Sequence, residues 1–175
     1  MKKEGEDLRL APFTRIVKLR GYTWEELAKA CKVAPQNLSN WRRRDDALVS
    51  QIVNALEVIG VGLDLAINIP GKSSDTSWQI KGEISTRRDK DADSIVDMRA
   101  EGGFLSGLAT FIISTQLSFS EFCRKTGLNY SLLLKWLKDD DIKVSKYYKI
   151  ANVFEAKVVW SIYDIVKDES KDITV

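Results

Sequence analysis

Apolar positions along this chain recur with two periods. Between Leu8 and Leu19, Phe13, Ile16 and Val17 mark one face of a helix, Pro12 suits a first helical turn, and Gly21 closes the segment. The stretch TWEELAKACKVAPQNLSNW, Thr23 to Trp41, predicts two short helices joined by a tight turn. Trp24, Leu27, Ala28 and Cys31 fall at i, i+3, i+4 and i+7, while Thr23 and Glu26 have the spacing of a capping box. Val33 fills the turn, and Leu38 and Trp41 give the second helix its buried side. Ile52, Ala55, Leu56 and Ile59 form a further amphipathic helix that ends at Gly60. The period then drops to two: Val61, Leu63, Leu65, Ile67 and Ile69 alternate with Gly62, Asp64, Ala66 and Asn68, a strand signal. After Pro70-Gly71, Trp78, Ile80 and Ile84 alternate with Gln79, Lys81 and Glu83 as a hairpin partner, and Thr86 to Asp93 reads as a charged linker.

The pattern then repeats. An offset of 95 carries Thr23 to Ser118, Glu26 to Glu121, Leu38 to Leu133 and Trp41 to Trp136. The same offset carries Asp45, Asp46, Val49, Ser50 and Val58 to Asp140, Asp141, Val144, Ser145 and Val153, without a gap. Leu63 and Leu65 fall on Val158 and Trp160 inside VVWSIYDIV, again strand-like. Each half is a set of helices followed by a strand, as expected of a duplicated unit. The predicted class is mainly α, in the α+β sense. Residues 1–69 form the first unit, 70–102 a hairpin strand and charged linker, and 103–175 the second unit. Whether the strands pair within one chain or between two is left open.

Composition narrows the chemistry. The 175 residues contain no histidine and two cysteines, which removes Ser–His and Cys–His nucleophile pairs and the common zinc sites. Cys31 and Cys123 sit beside apolar neighbours in helical segments, as small buried thiols do. No catalytic residue, metal or cofactor is expected, and an enzyme is disfavoured. No run reaches membrane-spanning length, and the charged amino terminus lacks the apolar core of a signal peptide. The expectation is a cytoplasmic protein with no membrane partner. Net charge is only +2, with nine Lys/Arg against five Asp/Glu in residues 8–60 and seven against five in residues 103–155. Placement of charge matters here more than its total.

That placement favours the first unit. Opposite Leu38 and Trp41, the second helix of the pair presents Gln36, Asn37, Ser39 and Asn40, running into Arg42, Arg43 and Arg44. Amide side chains match adenine edges, and arginines match guanine edges or phosphates. Both halves resemble the helix-turn-helix of the XRE/Cro/CI family of phage and plasmid repressors, the first half through KVAPQNLSNWRRRDD in particular. The resemblance covers roughly residues 8–65 and, more weakly, 103–160. It implies two tandem lambda-repressor-like units, with the second helix of the motif entering the major groove by its amino-terminal end. Carried over by position, Pro35, Gln36 and Asn40 face the bases with Asn37 and Ser39 beside them. Thr23, at the start of the motif, is a further DNA-binding residue, and Arg42, Arg43 and Arg44 hold phosphates. The turn departs from the family in one respect: glycine is usual there, as at Gly127, but the first half has Lys32.

The second copy departs further. Its equivalent helix, YSLLLKWLK, keeps Leu133 and Trp136 but places Leu132 and Leu134 where Asn37 and Ser39 point outward, and Leu137 where Arg42 stands. Tyr130, Ser131, Leu132, Leu134, Lys135 and Lys138 therefore form a second surface, better suited to a protein partner or self-association than to DNA. The reading is a repressor-like transcription regulator of mobile-element type, acting in a bacterial cell at the nucleoid. It would bind double-stranded DNA, as a homodimer, with its second copy for dimerisation or partner contact. The competing reading is an adaptor or anti-repressor that keeps the fold without reading DNA, consistent with the near-neutral charge.

Overall fold

The computed structural model describes residues 8–70 and 90–165. In chain order the first half contains α1 (Ala11–Leu19), α2 (Trp24–Ala30), α3 (Pro35–Arg44), α4 (Val49–Val58) and β1 (Val61–Asn68). The second contains α5 (Lys90–Ala100), α6 (Ser106–Ser114), α7 (Phe119–Thr126), α8 (Tyr130–Asp139), α9 (Val144–Val153) and β2 (Lys157–Asp164). The described chain is mainly helical, with one small two-stranded antiparallel sheet, which fits the α+β class. None of its helices is long and apolar enough to cross a membrane.

The local signals act as their chemistry dictates. Phe13, Ile16 and Val17 are buried on α1. The Glu26 backbone N–H donates to the Thr23 hydroxyl, and the Glu26 carboxylate accepts from the Thr23 N–H at 2.8 Å. Ser118 and Glu121 repeat the arrangement on α7. These bonds to the ionised form hold both carboxyls below the usual carboxylate range.

The duplication extends to the backbone. Left-handed residues occur in pairs at the same offset: Gly21 and Gln116, Lys32 and Gly127, Asp45 and Asp140, Gly60 and Glu155. In three of these pairs one copy has glycine and the other a residue with a Cβ. Lys32 at φ +55° therefore carries a strain of about 1 kcal/mol that Gly127 avoids.

The two halves meet about a local two-fold axis, visible in bonds made once in each direction. The Val49 N–H donates to the Ile142 carbonyl and the Val144 N–H to the Ala47 carbonyl, both at 2.9 Å. At the first turn of α4, the Ser50 N–H and hydroxyl donate to Asp141 at 3.1 and 2.6 Å. The Ser145 N–H and hydroxyl donate to Asp46 at 2.8 and 2.9 Å on α9. Neither helix has a side-chain cap from its own N-cap residue, so each half supplies the acceptor for the other. Asp46→Ala or Asp141→Ala should each lower stability by about 1 kcal/mol, read from urea midpoints, as for the loss of an N-terminal cap.

The open question of strand pairing resolves inside the chain. β1 and β2 are antiparallel neighbours, and Leu65 faces its own counterpart Trp160. The symmetry is broken on either side of them. β1 buries Val61, Leu63, Leu65 and Ile67, lying against α4 and α6, whereas β2 leaves Ile162 and Tyr163 exposed. The buried Tyr147 hydroxyl donates to the Leu65 carbonyl at 2.8 Å, and burial pushes its pKa up.

Two sequence expectations need revision. Residues 90–93, assigned to a charged linker, begin α5, which packs on α6 and α8. Ala92, Ile95, Val96 and Arg99 have helical spacing; Ala92 and Val96 are buried, and intervening acidic and polar residues mask that face. Leu137, expected to point outward, is wholly buried under this arrangement. The proposed hairpin strand Trp78 to Ile84 lies outside the described residues.

Candidate nucleic-acid interface

α3 is anchored from one side only. Leu38 is buried and Trp41 half-buried, with Phe13 tilted against both Trp24 and Trp41 at centroid distances of 5.9 and 6.4 Å. With that face fixed by aromatic packing, Pro35, Gln36, Asn37 and Ser39 are exposed and Asn40 partly so. Pro35 occupies the first turn, where its missing N–H costs nothing. The N-cap residue Ala34 offers no side-chain acceptor, Pro35 has no N–H, and the Asn37 N–H already donates to the Ala34 carbonyl at 2.8 Å. At the equivalent place in the second half, the Asn129 side chain accepts from the Leu132 N–H at 3.0 Å.

The exposed face carries a connected row. Gln36 Nε2 donates to Asn40 Oδ1 over a long 3.5 Å, and an Arg43 Nη2 donates to the same oxygen at 3.1 Å. This row aligns two amides and a guanidinium along the helix. Arg42 is exposed, and its guanidinium stacks over the Trp24 ring at 4.5 Å, tying α3 back to α2. Arg44 is exposed and has no ion-pair partner among the described residues. The Thr23 hydroxyl is engaged by Glu26, donating to Oε2 at 2.7 Å and accepting the Glu26 N–H at 3.2 Å. Thr23 thus serves the helix end first.

The corresponding face of α8 is built otherwise. Leu133 and Leu137 are buried, Leu134 and Tyr130 half-buried, and Leu132, Ser131, Lys135 and Lys138 exposed. Tyr130 stands edge-on to Phe119 at 4.9 Å. The carboxyl end of α8 is covered by α5: Arg99 donates through Nε to the Leu137 carbonyl and through Nη2 to the Lys138 carbonyl, both at 2.7 Å. The apolar surface left to a partner therefore shrinks to Leu132 and the edge of Leu134.

Sequence reasoning missed Arg9 and Lys149, which lie near the carboxyl end of α3. Arg9 is held there by Asp45, Nε to Oδ2 at 3.3 Å, a pairing across 36 positions with no local signal. Lys149 was legible only by register, since its counterpart at the repeat offset is Asn54. Cys31 is half-buried, and burial pushes its thiol pKa up, away from thiolate chemistry. Among the described residues no three His, Cys, Asp or Glu side chains converge as a metal site. Comparison with protein-family models, curated proteins and solved structures returned no match to this chain.

Proposed function

We propose that this chain is a sequence-specific DNA-binding transcription regulator, repressor-like and of mobile-element type, with α2 and α3 as its helix-turn-helix and α3 as the reading helix. The observation that carries this reading is internal. One scaffold occurs twice, and of the two equivalent helices α3 exposes Gln36, Asn37 and Ser39 running into Arg43 and Arg44, where α8 carries Leu132 and Leu134. Gln36 and Asn40 are the base-reading candidates, Pro35, Asn37 and Ser39 their neighbours, and Arg43 and Arg44 the phosphate contacts. The second unit serves as an intramolecular partner, filling across the local two-fold the place another subunit takes in dimeric repressors. A homodimer would then use surface outside that axis, such as Leu132 or Tyr163. The protein acts by occupying DNA in the bacterial cytoplasm, without catalysis or a cofactor.

Selection of bound fragments from random DNA, followed by titration at several salt concentrations, tests the proposal. Binding should be sequence-dependent and fall steeply with salt. Gln36→Ala combined with Asn40→Ala should reduce discrimination between selected and scrambled DNA by about tenfold or more, at about 1–3 kcal/mol per lost bidentate contact. No binding even at low salt would overturn this reading and favour the adaptor or anti-repressor role.

A further inference from the structure

Beside the carboxyl end of α3, an open groove of about 950 Å³ runs between the two halves. One wall carries Arg9, Arg43 and Arg44, the other Lys149 and Asn152 of α9. Ser145, Tyr148, Lys149 and Asn152 fall at helical spacing on the face of α9 opposite the buried Val144, Tyr147, Ile150 and Ala151. The Tyr148 hydroxyl donates to the Arg9 carbonyl at 3.4 Å and accepts from Trp160 Nε1 at 3.1 Å, fixing α9 to the segment before α1.

Four cations line the groove against one carboxylate, Asp45. That carboxylate is already engaged by the Arg9 and Leu10 backbone N–H groups and by Arg9 Nε. Arg44 and Lys149 have no ion-pair partner among the described residues. The duplicated scaffold supplies its own control. At the equivalent positions in the other half, Arg43 stays cationic as Lys138, but Arg9 becomes Phe104, Arg44 becomes Asp139, Lys149 becomes Asn54 and Asn152 becomes Glu57. Arg99 of α5 also reaches toward Asp140 there, at 3.8 Å. The same groove thus has four cations to one carboxylate beside α3, whereas Asp139, Asp140 and Glu57 outnumber Lys138 and Arg99 beside α8. A demand for solubility alone would not place charge at one end of a two-fold scaffold.

We infer that this groove binds backbone phosphates of the DNA strand flanking the segment read by α3, so that α9 of the second half contributes to the DNA interface. The inference rests on the DNA-binding reading. The groove's openness favours a strand over a small anion, because small-ligand sites enclose most of their ligand. Backbone contacts of this kind add affinity without sequence preference.

The test uses the full chain and a DNA fragment selected by the wild-type protein. Lys149→Gln should weaken binding to selected and scrambled DNA by the same factor and flatten the log–log salt slope by about one unit. It should also remove backbone protection at phosphates flanking the core footprint. Asn54→Gln, the counterpart substitution, should change neither. If Gln36→Ala with Asn40→Ala erases discrimination while Lys149→Gln leaves slope and footprint unchanged, α3 reads DNA but the groove does not hold it. Tripolyphosphate that raises the melting temperature of the wild type but not of Lys149→Gln, with an unchanged DNA slope, would make the groove a small-anion site and overturn the inference. Absence of DNA binding by the wild type would remove both readings together.

Discussion

Replacing Asp45 with alanine should lower the unfolding free energy by about 3 kcal/mol, within the range for deleting a buried, hydrogen-bonded carboxylate. Asp45 is only 7% exposed and sits at the end of α3 in the left-handed conformation, φ +51°. Its Oδ1 accepts from the Leu10 N–H at 2.9 Å, and its Oδ2 from the Arg9 N–H at 2.9 Å and from Arg9 Nε at 3.3 Å. α1 has no side-chain cap of its own, so the residue that ends α3 also caps the start of α1. Alanine would strand the buried Leu10 amide and occupy a left-handed conformation that Asp and Asn tolerate better. Asp45→Asn should retain about half of the loss, since the amide keeps one acceptor and the turn preference. Asp45→Gly separates the terms by relieving the backbone while losing the bonds. Chemical denaturation of the three variants reads the series directly. A loss below about 1 kcal/mol for alanine would mean that water satisfies the Leu10 and Arg9 amides in its place. Asp140 makes the corresponding bonds to the Phe104 and Leu105 N–H groups, at 2.9 and 3.0 Å, and Asp140→Ala should behave alike.

The role of Asp45 was present in the sequence only as a coincidence. Asp45-Asp46 and Asp140-Asp141 recur at one offset, and a loop is the ordinary reading of paired aspartates. Their actual division of labour, the first capping a helix in its own half and the second a helix across the two-fold, needs separations of 35 and 99 positions. No local pattern encodes such distances. The features that were legible are those with local physics: the capping boxes, the buried stripe of α1, the alternation of β1 and the scaffold pair Leu38 and Leu133. α5 was a different kind of miss. Its apolar positions have helical spacing, but they are few and embedded in aspartates, so composition outweighed period.

The candidate site divides in the same way. Exposure of Gln36, Asn37 and Ser39 follows from the period that buries Leu38, and could be read directly. The stacking of Arg42 on Trp24 and the convergence of Arg43, Arg44 and Lys149 could not, because each depends on how helices approach one another. The leucine-rich face of α8 shows why apolar content alone misleads about partners. Leu137 is buried inside the chain where α5 packs on α8, whereas Leu132 on the same helix stays exposed.

The point at which the two-fold fails also yields a large expected effect. Gly107→Ala should cost about 2–4 kcal/mol, because a Cβ there would overlap the Leu65 carbonyl oxygen and stand 3.0 Å from the Ala66 Cα. Both obstacles are backbone, so α6 and β1 would have to separate, and the bond from the Tyr147 hydroxyl to Leu65 would be strained with them. Alanine's helix preference over glycine, about 1 kcal/mol, offsets only part of this. Gly62→Ala is the matched comparison. Its Cβ would overlap the Tyr163 ring, which is 51% exposed and belongs to a side chain that can swing outward. A change within about 1 kcal/mol is expected at Gly62 by the same denaturation measurement. Equal losses at the two sites would contradict the close approach of α6 to β1. The first copy has Pro12 where the second has Gly107, so α1 lacks the smooth surface that lets a strand lie against α6. The duplicated scaffold is therefore not symmetric in its sheet: β1 is covered on the face where Gly107 admits it, and β2 is not.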